Sequence, residues 1–296
     1  MLSTLAQRIP AGAWDSHMHV VDPEKYALSS TAQYKTPVHS LGDYSQSIGA
    51  SLGIKNAVLV QPSIYGTDNS CLLDALRDLT PEHGRGVVEI DPATVCQDQL
   101  KDWHKLGVRG VRVNLKSIGR VPSKQELRSE LLRYADIIRP LDWVLQVYIP
   151  LNMVSYLEAI VPDLRVKFCI DHFGSPELPP TFDPMNPVDP NSLPGFSSML
   201  KLLKSGNTWV KISAPYRLTS DAQMRDLEII AKTFMRYAGD RVVYATDWPH
   251  TRFEKIDPRP FADACLQWCG EDRALVEALF RTNAERLWDV ESTVAT

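Results

Sequence analysis

Two imidazoles two residues apart open the chemistry of this chain: His17 and His19, within Trp14-Asp15-Ser16-His17-Met18-His19-Val20-Val21. Side chains at i and i+2 of a β-strand share a face, whereas on a helix they diverge. A strand here aims both rings at one ion or one substrate atom. Matching groups recur at His172, in Ile170-Asp171-His172-Phe173-Gly174, and at Asp247, in Ala245-Thr246-Asp247-Trp248-Pro249-His250. Three imidazoles and a carboxylate suit one hydrolytic divalent metal such as Zn, with His17, His19, His172 and Asp247 as its ligands. Without a metal, the same imidazoles can polarise a carbonyl while Asp247 takes a proton from water. The sequence leaves both alternatives open. The structural readings are Asp247 as a helix N-cap, which Pro249 and its strand position oppose, and His172 as a core histidine bonded to backbone.

Such groups meet only if strands carry them to one place. Eight apolar, β-branched runs recur along the chain, at 13–21, 55–62, 85–91, 108–115, 143–149, 165–173, 208–214 and 241–248. Near-continuous apolar runs fit parallel strands covered on both faces. Helical patterns fall between them, at 69–79, 123–138, 151–160, 196–203, 221–237 and 260–268, with a terminal one at 272–287. Ser123 followed by Glu126 forms a capping box at the start of the second. Strands alternating with helices in one chain predict an α/β fold, a (β/α)8 TIM barrel over a single domain, 1–296. No Gly-rich dinucleotide fingerprint follows any run, so no organic cofactor is expected. Long connections follow the first and sixth strands, at 22–39 and 174–195, the second rich in proline. In a barrel these loops reach the C-terminal mouth, as lid or wall.

Composition narrows the partners. The 296 residues are 44% hydrophobic and 23% charged, with a net charge of −4. No Lys/Arg run supports nucleic-acid binding, and no apolar stretch reaches a membrane span. Residues 1–10 lack the apolar core of a signal peptide. The five cysteines are odd in number without close pairing, and Cys265 and Cys269 read as buried thiols. The expectation is a reduced, cytoplasmic protein acting on a small molecule, its oligomeric state open.

The strand ends also supply candidate substrate contacts: Ser63, Arg112, Tyr148, Arg217, His250 and Arg252. An inward Arg112 needs an anion, either a substrate carboxylate or a buried partner such as Glu89. Strand parity points Asp171 away from His172, as a structural residue.

His17-x-His19, His172 after Asp171, and Thr246-Asp247-Trp248-Pro249-His250 together resemble the amidohydrolase superfamily. More narrowly, they are similar to its branch of lactone hydrolases related to 2-pyrone-4,6-dicarboxylate lactonase and sugar lactonases, over about residues 14–288. The resemblance implies hydrolysis of a lactone, expected to be a carboxylated and so anionic one, with Asp247 activating water. Binuclear members add a bridging Lys or Glu and a second inner His. The middle strand ends here carry Arg112, Asn114 and Tyr148, so the resemblance implies one metal or none. Where members of that branch carry an Arg after the inner His, this chain has Phe173-Gly174-Ser175, and Thr251-Arg252 follows the final motif. A nonoxidative decarboxylase of an aromatic or enoic acid is the alternative activity, and a binding barrel without catalysis the alternative class.

Overall fold

The computed structural model describes residues 3–290 apart from positions 254 and 271, so the ends of the expected 1–296 span lie outside the described residues. Eight strands pair in parallel and in sequence order: Trp14–Met18 (β1), Asn56–Val60 (β2), Gly84–Val88 (β3), Val108–Asn114 (β4), Val144–Tyr148 (β5), Phe168–Ile170 (β6), Thr208–Ile212 (β7) and Val242–Tyr244 (β8). A parallel bridge between Met18 and Trp248 brings the chain after β8 back to β1. The sheet is thereby the expected (β/α)8 barrel, and only β3 begins a residue before its apolar run. No helix among the described residues is long and apolar enough to cross a membrane.

The barrel interior follows from side-chain alternation. Val144, Cys169 and Trp209 join Trp14, Val58, Val60, Val87 and Val243 in an inner apolar floor, sealed from below by Ala284, Leu287 and Trp288. Two residues further along three of those strands, the same parity delivers Gln146, Asp171 and Lys211, all fully buried. Apolar residues therefore fill the N-terminal end of the barrel, and polar ones the storey beneath the mouth.

The outer layer largely matches the helical patterns. Ser123 caps Lys124–Ile138, its Oγ accepting from the Glu126 N–H at 3.3 Å while the Glu126 carboxylate accepts from the Ser123 N–H at 2.8 Å. Three expectations need correction. The 151–160 stretch holds only a short turn and the helix Val154–Leu157. The 221–237 helix starts at Arg225, because the Asp221 carboxylate accepts from the Arg225 N–H at 2.9 Å and fixes the preceding turn. The unexpected helix Gln97–Lys105 buries only Leu100, too thin an apolar stripe to read from sequence.

Asp15 ties the two ends of the barrel together. Its carboxylate accepts from the N–H groups of His17 at 3.1 Å and Thr246 at 2.9 Å, and from the hydroxyls of Thr246 at 2.5 Å and Tyr44 at 3.3 Å. All four donors lose their partner together if the carboxylate is removed, and a buried donor left unpaired costs about 1–3 kcal/mol. Asp15→Ala is expected to lower unfolding stability by about 3 kcal/mol, read as a shift of the urea midpoint.

Candidate active site

His17 and His19 reach a common target by a route that simple strand parity does not describe. Trp14 lies in the inner floor, and Ser16 accepts from Trp288 Nε1 at 3.3 Å, so an unbroken β1 would turn His17 outward. The pairing register of β1 slips between Asp15 and Met18. Such an irregularity re-aims the side chains beyond it, and the ring centroids of His17 and His19 lie 4.9 Å apart.

A second departure from parity lies at β6. The strand stops at Ile170, and His172 and Phe173 adopt φ values of +53° and +57°. Asp171 continues the inward face of Cys169, and the left-handed turn brings His172 inward as well. The expectation that Asp171 faces away is therefore wrong, because alternation ends where the backbone leaves the β region. Asp247 also has a positive φ, +61°, and its N–H donates to the His17 carbonyl at 2.9 Å. Non-glycine residues at such angles cluster at functional sites.

Asp247 stands at the centre. Its Oδ1 lies 3.7 Å from His17 Nε2, 3.6 Å from His19 Nε2 and 3.7 Å from His172 Nε2. Its Oδ2 accepts from the Tyr216 hydroxyl at 2.5 Å and from Arg217 Nε at 3.0 Å. Burial alone would push this carboxyl up; His172, His19, Arg217 and His17 outweigh it and hold Asp247 well below the usual carboxylate range. Burial brings His172 down to about 4, against the pull of Asp247 and Asp171. The pair is thus a carboxylate and a neutral imidazole at neutral pH.

Each imidazole is fixed through its other nitrogen. His19 Nδ1 donates to the Val60 carbonyl at 2.7 Å, which leaves its Nε2 with a lone pair. His172 Nδ1 lies 2.7 Å from Ser213 Oγ. His17 Nδ1 meets Lys211 Nζ at 3.2 Å. Lys211 belongs to the buried storey below: its Nζ donates to Gln146 Oε1 at 2.7 Å and lies 3.4 Å from Asp171 Oδ1. Gln146 Nε2 donates to Asp171 Oδ2 at 3.0 Å, and Arg112 Nη2 stands 3.5 Å from the same oxygen. The buried anion paired with Arg112 is therefore Asp171 rather than Glu89; its Nη1 donates to the Gln61 carbonyl at 3.1 Å, and its Nε has no hydrogen-bond partner among the described residues.

Above Asp247 lies a cleft of about 30 Å³ lined by His19, His172 and Asp247 together with Ser63, Arg112, Tyr148, Arg217 and Arg252. His250 does not line it. The residue borders a neighbouring cavity of about 210 Å³, with its ring 5.2 Å from that of Tyr216. Of the two long loops, the first brings Tyr34 to the cleft. The second contributes no lining residue there; Phe182 instead packs under the Arg225 guanidinium at 4.2 Å. Sequence reasoning missed Tyr34 and the role of Lys211. The available signal for Lys211 was a lysine at an inward position inside the apolar run Val210-Lys211-Ile212.

Donor types and spacing suit one divalent ion in part. His17, His19 and Asp247 place ligand atoms within 4.8 Å of one another, as do His17, Asp171 and His172. Among the described residues His17 Nε2 has no hydrogen-bond partner. The fit is opposed at one point: both groupings need His17, and Lys211 Nζ, a donor, stands 3.2 Å from its Nδ1, where a ligating imidazole normally meets an acceptor.

The amidohydrolase family profile matches residues 14–290. The chain belongs to the amidohydrolase family. Among its relatives in that family, a 4-sulfomuconolactone hydrolase of Hydrogenophaga intermedia is 31% identical, covering 85% of this chain and 79% of its own length. A 2-pyrone-4,6-dicarboxylate hydrolase of Comamonas testosteroni is 27% identical, covering 85% and 81%. A solved structure from Pseudomonas putida, assigned as a 2-pyrone-4,6-dicarboxylic acid hydrolase, superposes with a TM-score of 0.77 at 30% identity, over 95% of this chain and 98% of that one.

Burial also brings His250 down to about 4, partly offset by Asp247. Its unfolded value is near 6.5, so the unfolded chain binds the extra proton first and stability falls as pH drops from about 6.5 to 4. His250→Gln removes that contribution. The stability of the wild type relative to His250→Gln is expected to fall by about 3 kcal/mol between pH 7 and pH 4, measured by urea denaturation across that range.

Proposed function

We propose that this protein opens a lactone carrying an anionic substituent by attack of water on the ring ester. The observation that carries the reading is Asp247: Oδ1 faces three imidazole Nε2 atoms at 3.6–3.7 Å while Tyr216 and Arg217 hold Oδ2. The relatives named as hydrolases of a sulfonated lactone and a dicarboxylated pyrone support the same reaction class.

Asp247 accepts a proton from water as the water oxygen bonds to the carbonyl carbon. His19, with its lone pair on Nε2, orients that water. His17 and His172 face the carbonyl oxygen as it becomes negative. The ring C–O bond then breaks, and the leaving oxygen takes the proton back from Asp247, so water and lactone become a hydroxy acid. No step above depends on a divalent ion, to which the His17-containing ligand sets are poorly fitted. Arg112 and Arg252, with Ser63 and Tyr148 beside them, receive the anionic substituent in the cleft.

Two measurements test this. Asp247→Asn is expected to cut kcat by about 10²–10⁴-fold on carboxylated or sulfonated lactones, followed by proton release, with carbon dioxide monitored in parallel. Near-wild-type turnover in that variant removes Asp247 as the base, and carbon dioxide release points to a decarboxylase. Arg252→Ala is expected to raise KM about tenfold for an anionic lactone, the worth of about 1.4 kcal/mol, while leaving KM for an uncharged lactone unchanged. Equal effects on both substrates would remove Arg252 from anion recognition.

A further inference from the structure

The imidazole of His17 is fully buried, so the hydrogen on its ring must be assigned by its neighbours. Two groups face Nδ1. Lys211 Nζ lies 3.2 Å away in hydrogen-bonding geometry, and Asp171 Oδ1 lies 3.3 Å away. They make opposite demands: the lysine can only donate to Nδ1, the carboxylate can only accept from it. The ammonium has three hydrogens and three acceptors within reach, Gln146 Oε1 at 2.7 Å, His17 Nδ1 at 3.2 Å and Asp171 Oδ1 at 3.4 Å, so it can serve the carboxylate and the ring nitrogen together.

The remaining contacts of the network agree with that assignment. Gln146 accepts from Lys211 through Oε1 at 2.7 Å and donates to Asp171 Oδ2 through Nε2 at 3.0 Å. Reversing the amide would set its NH2 against the lysine and its oxygen against the carboxylate, so its orientation is fixed. With Gln146 in that orientation, one lysine hydrogen goes to the amide and another is free for His17. The three polar storey residues cannot move away, because each is at zero exposure. The aromatic ring of Trp288, 5.1 Å from Lys211 Nζ, closes the space beneath.

We propose that Lys211 is a positioning residue that holds His17 as the Nε2–H tautomer. His17 then presents a hydrogen-bond donor to the cleft in place of a metal-ligating lone pair, and it differs in this from His19, whose Nδ1–H donates to Val60. One imidazole on β1 is a donor at Nε2 and its neighbour an acceptor. The grouping of His17 with His19 and Asp247, which lies on the Nε2 side of the ring, thereby loses a ligand lone pair through a side chain it does not include. This assignment concerns a ring proton and stands whether or not the substrate is a lactone.

The metal-free protein, stripped with a chelator, allows a direct test. Long-range ¹H–¹⁵N correlation of its histidine rings, with His17 assigned by comparison with His17→Gln, is expected to show Nε2–H at His17 and Nδ1–H at His19. A Nδ1–H form at His17 in the wild type overturns the proposal without reference to any variant. Lys211→Met removes the donor and leaves Asp171 as the only partner of Nδ1, so His17 is expected to switch to Nδ1–H. Zinc affinity, measured by competition with a chromophoric chelator, is expected to rise at least tenfold in the variant. An unchanged tautomer or an unchanged or weaker zinc affinity in folded Lys211→Met also overturns it. Failure of the variant to fold leaves the wild-type spectrum to decide.

Discussion

An ionised Asp171 sealed inside the barrel is the constraint on which the site depends. A carboxylate without water is stable only when charges and donors surround it. Lys211, Arg112 and Gln146 do this from β7, β4 and β5. Burial pushes Asp171 up, and the cations of Lys211 and Arg112 draw it back down, so that it lies well below the usual range. Removing one partner of such a cluster typically costs about 3–5 kcal/mol, because the others are left uncompensated. The cluster spans four strands, and the imidazole of His17 rests directly on it. The reactive carboxylate Asp247 is thus supported from below by a second, structural carboxylate of opposite purpose.

The two carboxylates differ in what faces them. Asp171 has two full cations within 3.5 Å and no route to the cleft. Asp247 has one cation, on Oδ2 only, while Oδ1 faces imidazoles and open space. The first is locked as an ion. The second keeps one oxygen available for a proton. The division of labour comes from placement: Asp171 follows strand parity into the barrel, whereas Asp247 sits past the end of β8 on a left-handed backbone that turns it toward the mouth.

The architecture was legible because it is written in runs of apolar residues, and eight such runs yield eight strands. The central set of His17, His19, His172 and Asp247 was legible because each stands at the end of a run. What escaped follows from two physical causes. Strand parity fails where the backbone slips or turns, and both β1 after Asp15 and the chain at His172 do so; His172 therefore turns inward beside Asp171 instead of opposing it. Residues arriving from loops carry no periodicity at all, and Tyr34 could not be placed by spacing. His250 was named for its nearness to Asp247 in sequence, yet its left-handed backbone, φ +62°, directs it to the adjoining cavity. Lys211 is the instructive case: a charged residue in an apolar run was visible, but its partner His17 lies 194 positions away.

Trp288 gives the arrangement a consequence in time. Its indole hydrogen-bonds Ser16 and its ring underlies Lys211, while Arg85 Nε donates to its carbonyl at 3.0 Å. The floor beneath His17 is therefore laid by a residue that follows its neighbour Ser16 by 272 positions. A growing polypeptide holds His17, His19, His172 and Asp247 before it holds that floor. The dry setting of Lys211 in the folded chain is thus completed by the last of these residues to be synthesised, Trp288.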